Sequence, residues 1–441
     1  MRDKSQFDAG KFSEAFKQIL PEETLERVVQ TCGPLKRCPP KLPHAVLIEG
    51  LVFHAMRGNG NFAASVRELT RENISDSALS QRRGNLPWQL FATLMDEALS
   101  AKADPQKHPA AFFKGRRLMG VDGSQFSVAN TPQNNETFIK AASRRMKAAF
   151  GKLGVSVLVE LGLHNPVAAR VGGSGMSEQE LSQPLLKKLP SGSLLLADRA
   201  YGLGCWVKRI RDEHPKGDRD FLFRVRSSCK TKGLEVFPDG SAWVEIEVKG
   251  EKIQLREIIG RVRRPGGKWS TIRLWTSLKD WREFPAMELL ALYGRRWEQE
   301  SFYKELKVDM RSATLLNSHT EVTAAQEIAA LILAQAIVVE QRIAIAQEGG
   351  VEVLRISFQK TYYRLQALWE VIAAGAGILS RQQIRELTQE VMRRIARWAI
   401  PPRRKRSCPR KVRQPIGSWP RLTKNSYQVG ETETEITPIA L

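Results

Sequence analysis

The sequence predicts a multi-domain α/β protein flanked by helical N- and C-terminal domains, and two patterns in its 441 residues support this. Apolar residues recur at helical spacing near both ends of the chain, whereas short apolar runs alternate with helical stretches in its middle. A hydrophobic content of 42% in a chain of this length suffices for more than one core.

The N-terminal section, residues 1–113, is predicted to be a helical domain. Within it, residues 62–70 and 75–83 are separated by polar residues and predict two short helices joined by a turn. This arrangement is compatible with a helix-turn-helix reader of DNA ends and equally with simple helical packing.

The middle of the chain begins at Leu118, where the apolar residues cease to recur at helical spacing and form short continuous runs. Four short apolar runs predict strands, at 118–121, 155–161, 193–197 and 221–225. The first run is followed by Asp122-Gly123, a pair typical of turns. Leu181, Leu185, Leu186 and Leu189 share a helical face between two of these strands.

Residues 205–284 alternate charged and β-branched residues over several short runs and predict a β-rich insertion. Helical patterns follow, including a stretch from Thr320 to about Ala344 that is apolar on most sides and is therefore expected to be buried. The helices end near Ile400, before a basic, proline-punctuated tail. The predicted divisions are 1–113, 114–204, 205–284, 285–345 and 346–441.

The net charge of +22 and pI near 10.0 point to a polyanionic partner, either nucleic acid or an anionic membrane. The membrane alternative is weakened because no uncharged apolar stretch reaches the roughly 20 residues needed to span a bilayer, and no signal peptide is evident. A cytoplasmic protein is predicted. Basic residues at 144–147 and 403–413 are interpreted as DNA contacts, with a solvated face as the alternative.

Five cysteines without a C-x-x-C pair argue against disulfides and against a zinc ribbon. Cys32 and Cys38 are the nearest pair, and they are interpreted as reduced thiols.

Two aspartates are candidate metal-binding residues because each ends or directly follows a predicted strand. Asp122 follows 118–121 and Asp198 follows 193–197, positions that place a carboxylate at the rim of a sheet. The alternative is that each starts a turn or caps a helix.

A third carboxylate, Glu300, lies in a predicted helix rich in aromatic and basic residues. Tyr293, Arg296, Glu300 and Lys307 are spaced so that an α-helix would present them on one face. On spacing alone, a solvated charged face is an equally good interpretation.

These four residues match the Y-x2-R-x3-E-x6-K signature of the bacterial insertion-sequence-four family of DDE transposases, which the chain resembles. Residues 121–124 with 131–134 resemble the segment around that family's first carboxylate, and residues 196–201 resemble the segment around its second. The sequence departs from the family pattern at Ala129, Asn130 and Ala200, none of which is a predicted metal ligand.

The resemblance implies a ribonuclease-H-like catalytic core that the β-rich insertion interrupts. It further implies that Asp122, Asp198 and Glu300 hold two Mg²⁺ ions, with Mn²⁺ as a substitute, for in-line displacement at phosphorus. An enzyme of this kind would bind the terminal inverted repeats of an insertion sequence and excise it through DNA hairpins. It would then join the 3′-ends to target DNA, with Tyr293, Arg296 and Lys307 contacting phosphates.

Hairpin formation needs an aromatic ring to receive a flipped base, and Trp275 is the candidate, with Trp269 nearby. The alternative for Trp275 is packing in the core of the insertion. The resemblance also implies double-stranded DNA as partner, a homodimer in the DNA complex, and a bacterial cytoplasmic, nucleoid-associated location. Two alternatives stay open: a catalytically silent DNA-binding inhibitor or domesticated transposase, and a nuclease without strand transfer.

Overall fold

A computed structural model gives the architecture of the chain. It describes residues 10–32, 35, 42–58, 61–70, 72–138, 140, 148–173, 175–263, 267–311, 314–375, 377–401, 406–407, 428–429, 432–437 and 439. The predicted DNA contacts at 144–147 lie outside these residues, as do Cys38 and nearly all of the basic tail.

The described residues form helices and strands in an order that matches the predicted pattern of helical ends and a mixed middle. The α-helices are α1 Gly10–Ile19, α2 Glu22–Thr31, α3 His44–Arg57, α4 Phe62–Thr70, α5 Asp76–Gly84, α6 Trp88–Ala98, α7 Pro132–Thr137, α8 Glu178–Ser182, α9 Gly204–Glu213, α10 Ala286–Leu292, α11 Trp297–Lys304, α12 Glu321–Glu348, α13 Phe358–Ala374 and α14 Arg381–Arg397. The strands are β1 Phe112–Phe113, β2 Arg116–Val128, β3 Lys152–Glu160, β4 Asn165–Gly172, β5 Ser193–Ala197, β6 Arg219–Arg224, β7 Lys232–Val236, β8 Ala242–Val248, β9 Glu251–Arg263, β10 Ser270–Thr276, β11 Leu315–Leu316, β12 Arg406–Ser407, β13 Gln428–Val429 and β14 Glu433–Ile436.

The chain divides into two compact units. The first unit contains Met1–Pro190 and Trp297–Ile400, and the second contains Ser191–Arg296 and Pro401–Leu441. The unit boundaries fall inside the predicted divisions 114–204, 285–345 and 346–441, so the five divisions do not coincide with the units and stay a prediction.

The first unit is built on three antiparallel strands in the order β4-β3-β2. β3 is buried along nearly its whole length, which agrees with its largely apolar sequence. The short strand β11 pairs in parallel with the end of β2, and β1 pairs with its beginning.

Helix α12 forms the centre of the first unit. Its apolar residues join those of α3, α6, α13 and α14 in one continuous core. Among the described helices, α12 alone is long and apolar enough to cross a membrane, but 83% of its most apolar 18-residue stretch is buried inside the protein. The sequence-based expectation of a buried core helix is therefore confirmed.

The second unit combines a parallel and an antiparallel part. β5 and β6 are parallel and are connected through α9, whereas β6, β10, β9, β8 and β7 pair in that order as antiparallel neighbours. β14 adds to β9, with Glu433 paired to Arg263 and Glu435 to Arg261.

The predicted fold class is confirmed: the chain is mixed α/β, and its strands include an antiparallel set, a parallel pair joined by a helix, and a β-rich insertion before the Glu300 segment. Three strands differ from the prediction. β4 was not predicted, β2 does not end at Asp122 but continues to Val128, and β14 lies in the predicted tail and pairs with β9.

Candidate active site

Asp122 lies in the middle of β2, so the prediction that it ends a strand and starts a turn is wrong. Asp122 and Gly123 pair in register with Val157 and Ser156 of β3, and this long-range pairing overrides the local preference of an Asp-Gly pair for a turn. The carboxylate of Asp122 accepts a hydrogen bond from the backbone N–H of Gly123 at 2.9 Å. Asp122 is half-buried.

Helix α11, which carries Glu300, is fixed to the strands around Asp122 by two side chains. The amide of Gln299 donates to the carbonyl of Val157 at 3.1 Å, and the hydroxyl of Tyr303 donates to the carbonyl of Asp122 at 2.7 Å. Gly120 permits this packing, because a Cβ there would lie 2.5 Å from Oε1 of Gln299. Glu300 directly follows one of these anchors and lies one helical turn before the other, so it is held beside the strand of Asp122.

Glu178 is a carboxylate near Asp122 that the sequence analysis missed. Its Oε1 accepts the backbone N–H of Gly123 at 3.1 Å. Burial raises the pKa of Tyr303 well above its usual value, and the nearby charges of Asp122 and Glu178 raise it further. The capping box of α8, Ser177 with Glu180, predicts a helix start here, but no local signal connects Glu178 with β2.

Lys307 is attached to the same strand beyond Asp122. Its ammonium group donates to Oγ of Ser124 at 3.1 Å and to the carbonyl of Gln125 at 2.8 Å. It also lies 5.2 Å from the ring centre of Phe126, and the guanidinium of Arg311 lies 5.3 Å from the same ring. Burial lowers the pKa of Lys307, and the charge of Arg311 adds to this. Two cations over one ring form a local positive site suited to a phosphate.

The segment that contains the four signature residues is helical throughout but changes type, so the prediction of a single α-helical stripe is wrong. It consists of α10, a 3₁₀ stretch at Tyr293–Arg296, α11, and a π-helical stretch at Glu305–Asp309. Within the 3₁₀ stretch, about three residues per turn bring Tyr293 and Arg296 onto one side.

Asp198 directly follows β5 in the second unit, as predicted. Its Oδ1 accepts the backbone N–H of Ala200 at 2.7 Å, and its carbonyl accepts the N–H groups of Tyr201 and Gly202. The turn therefore forms although Ala200 stands where the family has glycine. Gly202 is required for close packing, because a Cβ there would lie 1.9 Å from the carbonyl oxygen of Arg224.

Tyr293 and a group of arginines lie near Asp198. The buried Tyr293 hydroxyl donates to the carbonyl of Ala197 at 3.3 Å, one residue before Asp198. Burial lowers the pKa of Arg224, and the positive charges of Arg199 and Arg296 contribute to the decrease. Arg199 and Arg224 thus lie close to the predicted Arg296. Arg199 belongs to residues 196–201, which resemble the family's second-carboxylate segment, whereas only its position identifies Arg224.

Trp275 is 2% exposed, and its indole N–H donates to Oε1 of Glu257 at 2.8 Å. This is the packing alternative raised from the sequence. Trp269 is half-buried, and the guanidinium groups of Arg261 and Arg263 each lie 5.1 Å from its ring centre. A base-receiving role for Trp275 stays a prediction, and it requires the ring to leave this packed position.

The donor chemistry of the three predicted ligands fits a hard divalent cation, since all three are half-buried carboxylates. Within the part of the chain that the structure describes, however, no three His, Cys, Asp or Glu side chains are grouped so that they could hold a metal ion. The assignment of Asp122, Asp198 and Glu300 as metal ligands therefore stays a prediction.

Residues 114–337, just over half of the chain, match the family described as the transposase DDE domain. The chain belongs to this family of transposases, enzymes that act on DNA with divalent metal ions. More particularly, it is 23% identical over 427 residues to the transposase InsG for insertion sequence element IS4 of Escherichia coli strain K12. This match covers 93% of this chain and 94% of that relative. The resemblance to the insertion-sequence-four family is thereby confirmed.

The chain is also similar to a solved structure titled as a piggyBac transposase synaptic complex with hairpin DNA. The match covers 96% of this chain and 88% of that chain, with 11% sequence identity and a TM-score of 0.45.

Proposed function

We propose that this transposase binds the terminal inverted repeats of an insertion sequence, excises the element by metal-dependent phosphoryl transfer through DNA hairpins, and joins its 3′-ends to target DNA. The observation that carries the proposal is the attachment of the Glu300 helix to the strand of Asp122. Tyr303 and Gln299 make that attachment, and Lys307 extends it along the same strand. The attachment of the helix that carries Glu300, and of Lys307, to the strand of Asp122 supports the proposal.

Asp122, Asp198 and Glu300 are the residues that would hold Mg²⁺ or Mn²⁺. When bound, the metal ions would supply activation of a water or 3′-hydroxyl nucleophile and stabilisation of the leaving oxygen. The bond broken is a phosphorus–oxygen bond of the DNA backbone, and the bond formed joins the same phosphorus to the incoming oxygen.

The basic residues of the site bind and orient the DNA. Lys307 and Arg311 present positive charge next to β2, and Arg296 does so near Asp198 together with Arg199 and Arg224. These charges attract phosphates and fix the register of the strand to be cut. Tyr293 is proposed to contact a phosphate as well, in exchange for the hydrogen bond that its hydroxyl donates to the carbonyl of Ala197.

Acting on two ends of one element requires two active sites, so we infer a homodimer in the DNA complex. With this substrate, the proposed location is the cytoplasm of a bacterium, at the nucleoid. The excess of basic residues, +22 overall, is consistent with long contacts to double-stranded DNA.

Cleavage of DNA that carries the ends of the element tests the proposal. The purified protein is expected to cut and join these ends with Mg²⁺ and to do neither in excess EDTA. Binding of the ends without cleavage in Mg²⁺ would instead favour the catalytically silent DNA-binding protein. Cut ends that are never joined to target DNA would indicate a nuclease without strand transfer.

The Lys307→Ala variant is expected to bind the ends more weakly and to reduce the salt dependence of binding by about one unit of log K per log salt, because one phosphate contact is lost. Lys304→Ala provides the matched control on the same helical segment, since the Lys304 ammonium pairs with Asp309. Titrations of end binding at several salt concentrations measure the affinity and its salt dependence for each variant. Equal slopes for Lys307→Ala and wild type would remove Lys307 from the phosphate-binding set.

A further inference from the structure

A buried cluster of charged side chains lies behind the Glu300 helix, and no residue of the sequence signature belongs to it. Its centre is His164, in the connection between β3 and β4, where the backbone adopts a positive φ of 56°. His164 is 2% exposed. Its Nε2 lies 2.9 Å from Glu298 and its Nδ1 lies 2.9 Å from Glu305.

The two glutamates are seven residues apart and belong to different helical types. Glu298 lies in α11, whereas Glu305 is the first residue of the π-helical stretch. Contact of both with one imidazole shows that they face the same side. Glu300 and Lys307 each come two residues after one of these glutamates, so each points to a substantially different side of the helix. His164 therefore contacts the side of the segment that the reaction does not use.

The cluster contains a second basic side chain besides His164. Arg342 of α12 donates to Oε1 of Glu305 at 3.2 Å and to the carbonyl of Ile356 at 2.8 Å. Although burial lowers the pKa of His164, attraction to Glu305 and hydrogen bonds to Glu298 and Glu305 outweigh it, so that the pKa is raised. An imidazole can donate to two carboxylates at once only when both ring nitrogens are protonated. Two cations then face two carboxylates.

We propose that His164 is a positioning residue for DNA cleavage: by joining Glu298 to Glu305 it fixes the α-to-π transition, and with it the directions of Glu300 and Lys307. A π-helical stretch departs from the regular helix and needs tertiary contacts to hold it, and such stretches are frequent at functional sites. A buried ion cluster is a weak source of stability but can select one conformation. The inference rests on the proposed function, because it assumes that Glu300 and Lys307 act on DNA.

The test uses the full chain and three variants, with hydrogen exchange of residues 297–309 measured beside end binding and cleavage. H164Q is expected to lower the cleavage rate at least tenfold, to weaken end binding by no more than Lys307→Ala does, and to accelerate exchange in 297–309. H164Q leaves the cluster with one excess negative charge, and H164Q/E298Q removes that excess. The double variant is therefore expected to cleave at least threefold faster than H164Q.

His108→Gln is the matched control, since His108 is also buried in the first unit and its Nδ1 accepts the backbone N–H of Asp104. It is expected to leave exchange in 297–309 unchanged. E298Q alone serves as a milder variant should H164Q fail to fold, with the same direction of change in exchange and cleavage.

Unchanged exchange in 297–309 for H164Q and E298Q would overturn the inference, as would wild-type cleavage by both. Accelerated exchange spread evenly over the first unit would do the same, because it indicates a general loss of stability. Should the wild type itself not cleave, the proposed function fails, whereas the exchange comparison still decides whether His164 fixes this segment.

Discussion

Replacement of Asp122, Asp198 or Glu300 by alanine is expected to abolish cleavage of the insertion-sequence ends while leaving end binding nearly intact. The three carboxylates are proposed to act on the reacting phosphodiester through bound metal ions, and this stabilisation is made mainly in the transition state. Loss of one group that stabilises the transition state typically costs about a hundredfold to a thousandfold in rate. Binding depends mainly on phosphate contacts by basic residues, which these variants keep.

The measurement is single-turnover cleavage of labelled end DNA, with end binding and thermal unfolding of each variant determined in parallel. Asp212→Ala is the control, because Asp212 is an exposed aspartate of α9 that pairs with Lys208. It is expected to cleave at the wild-type rate. Wild-type cleavage by any one of the three alanine variants would show that its carboxylate is not a ligand.

The second large effect is expected on stability, from Arg256→Leu in β9. The Arg256 side chain has no exposed surface, and it donates to Oγ of Ser241 at 2.8 Å and to the carbonyl of Phe284 at 2.7 Å. It also pairs with Asp239, which accepts the N–H of Ala286 at the start of α10. Removal of the arginine leaves the Asp239 charge without its cation, so we expect a loss of about 3 to 5 kcal/mol in the free energy of unfolding.

Arg261→Leu is the matched control on the same strand. Arg261 pairs with Glu435 where both side chains are nearly half exposed, so its loss is expected to cost less than about 1 kcal/mol. Denaturant unfolding followed by tryptophan fluorescence compares the two variants. Equal midpoints for Arg256→Leu and Arg261→Leu would show that the buried cluster around Arg256 contributes no more than a surface pair.

The sequence predicted those helices and strands whose apolar residues are spaced regularly along the chain. The buried helix α12 follows from periodicity alone, and so does the burial of the leucines within 181–189, although residues 183–188 form a 3₁₀ stretch and not an α-helix. β4 was missed because its sequence, NPVAARVG, combines a proline with small residues and depends on pairing with β3. The continuation of β2 through Gly123 was missed because it also depends on pairing with β3.

In the helical part of the candidate site, the sequence predicted only the residues that lie at fixed separations from one another. The tyrosine, arginine, glutamate and lysine of the signature are recognisable because their separations are short and fixed. The π-helical stretch at Glu305 has no local signal, since its contacts come from His164 and Arg342, more than 30 residues away in the chain. Glu178 and Arg224 likewise become candidates only when folding brings them near an aspartate.

The boundary between the two compact units falls between Arg296 and Trp297, inside the signature itself. Tyr293 and Arg296 thus belong to one unit, and Glu300 and Lys307 to the other. Exchange of either unit with that of a distant relative would join half of one signature to half of another.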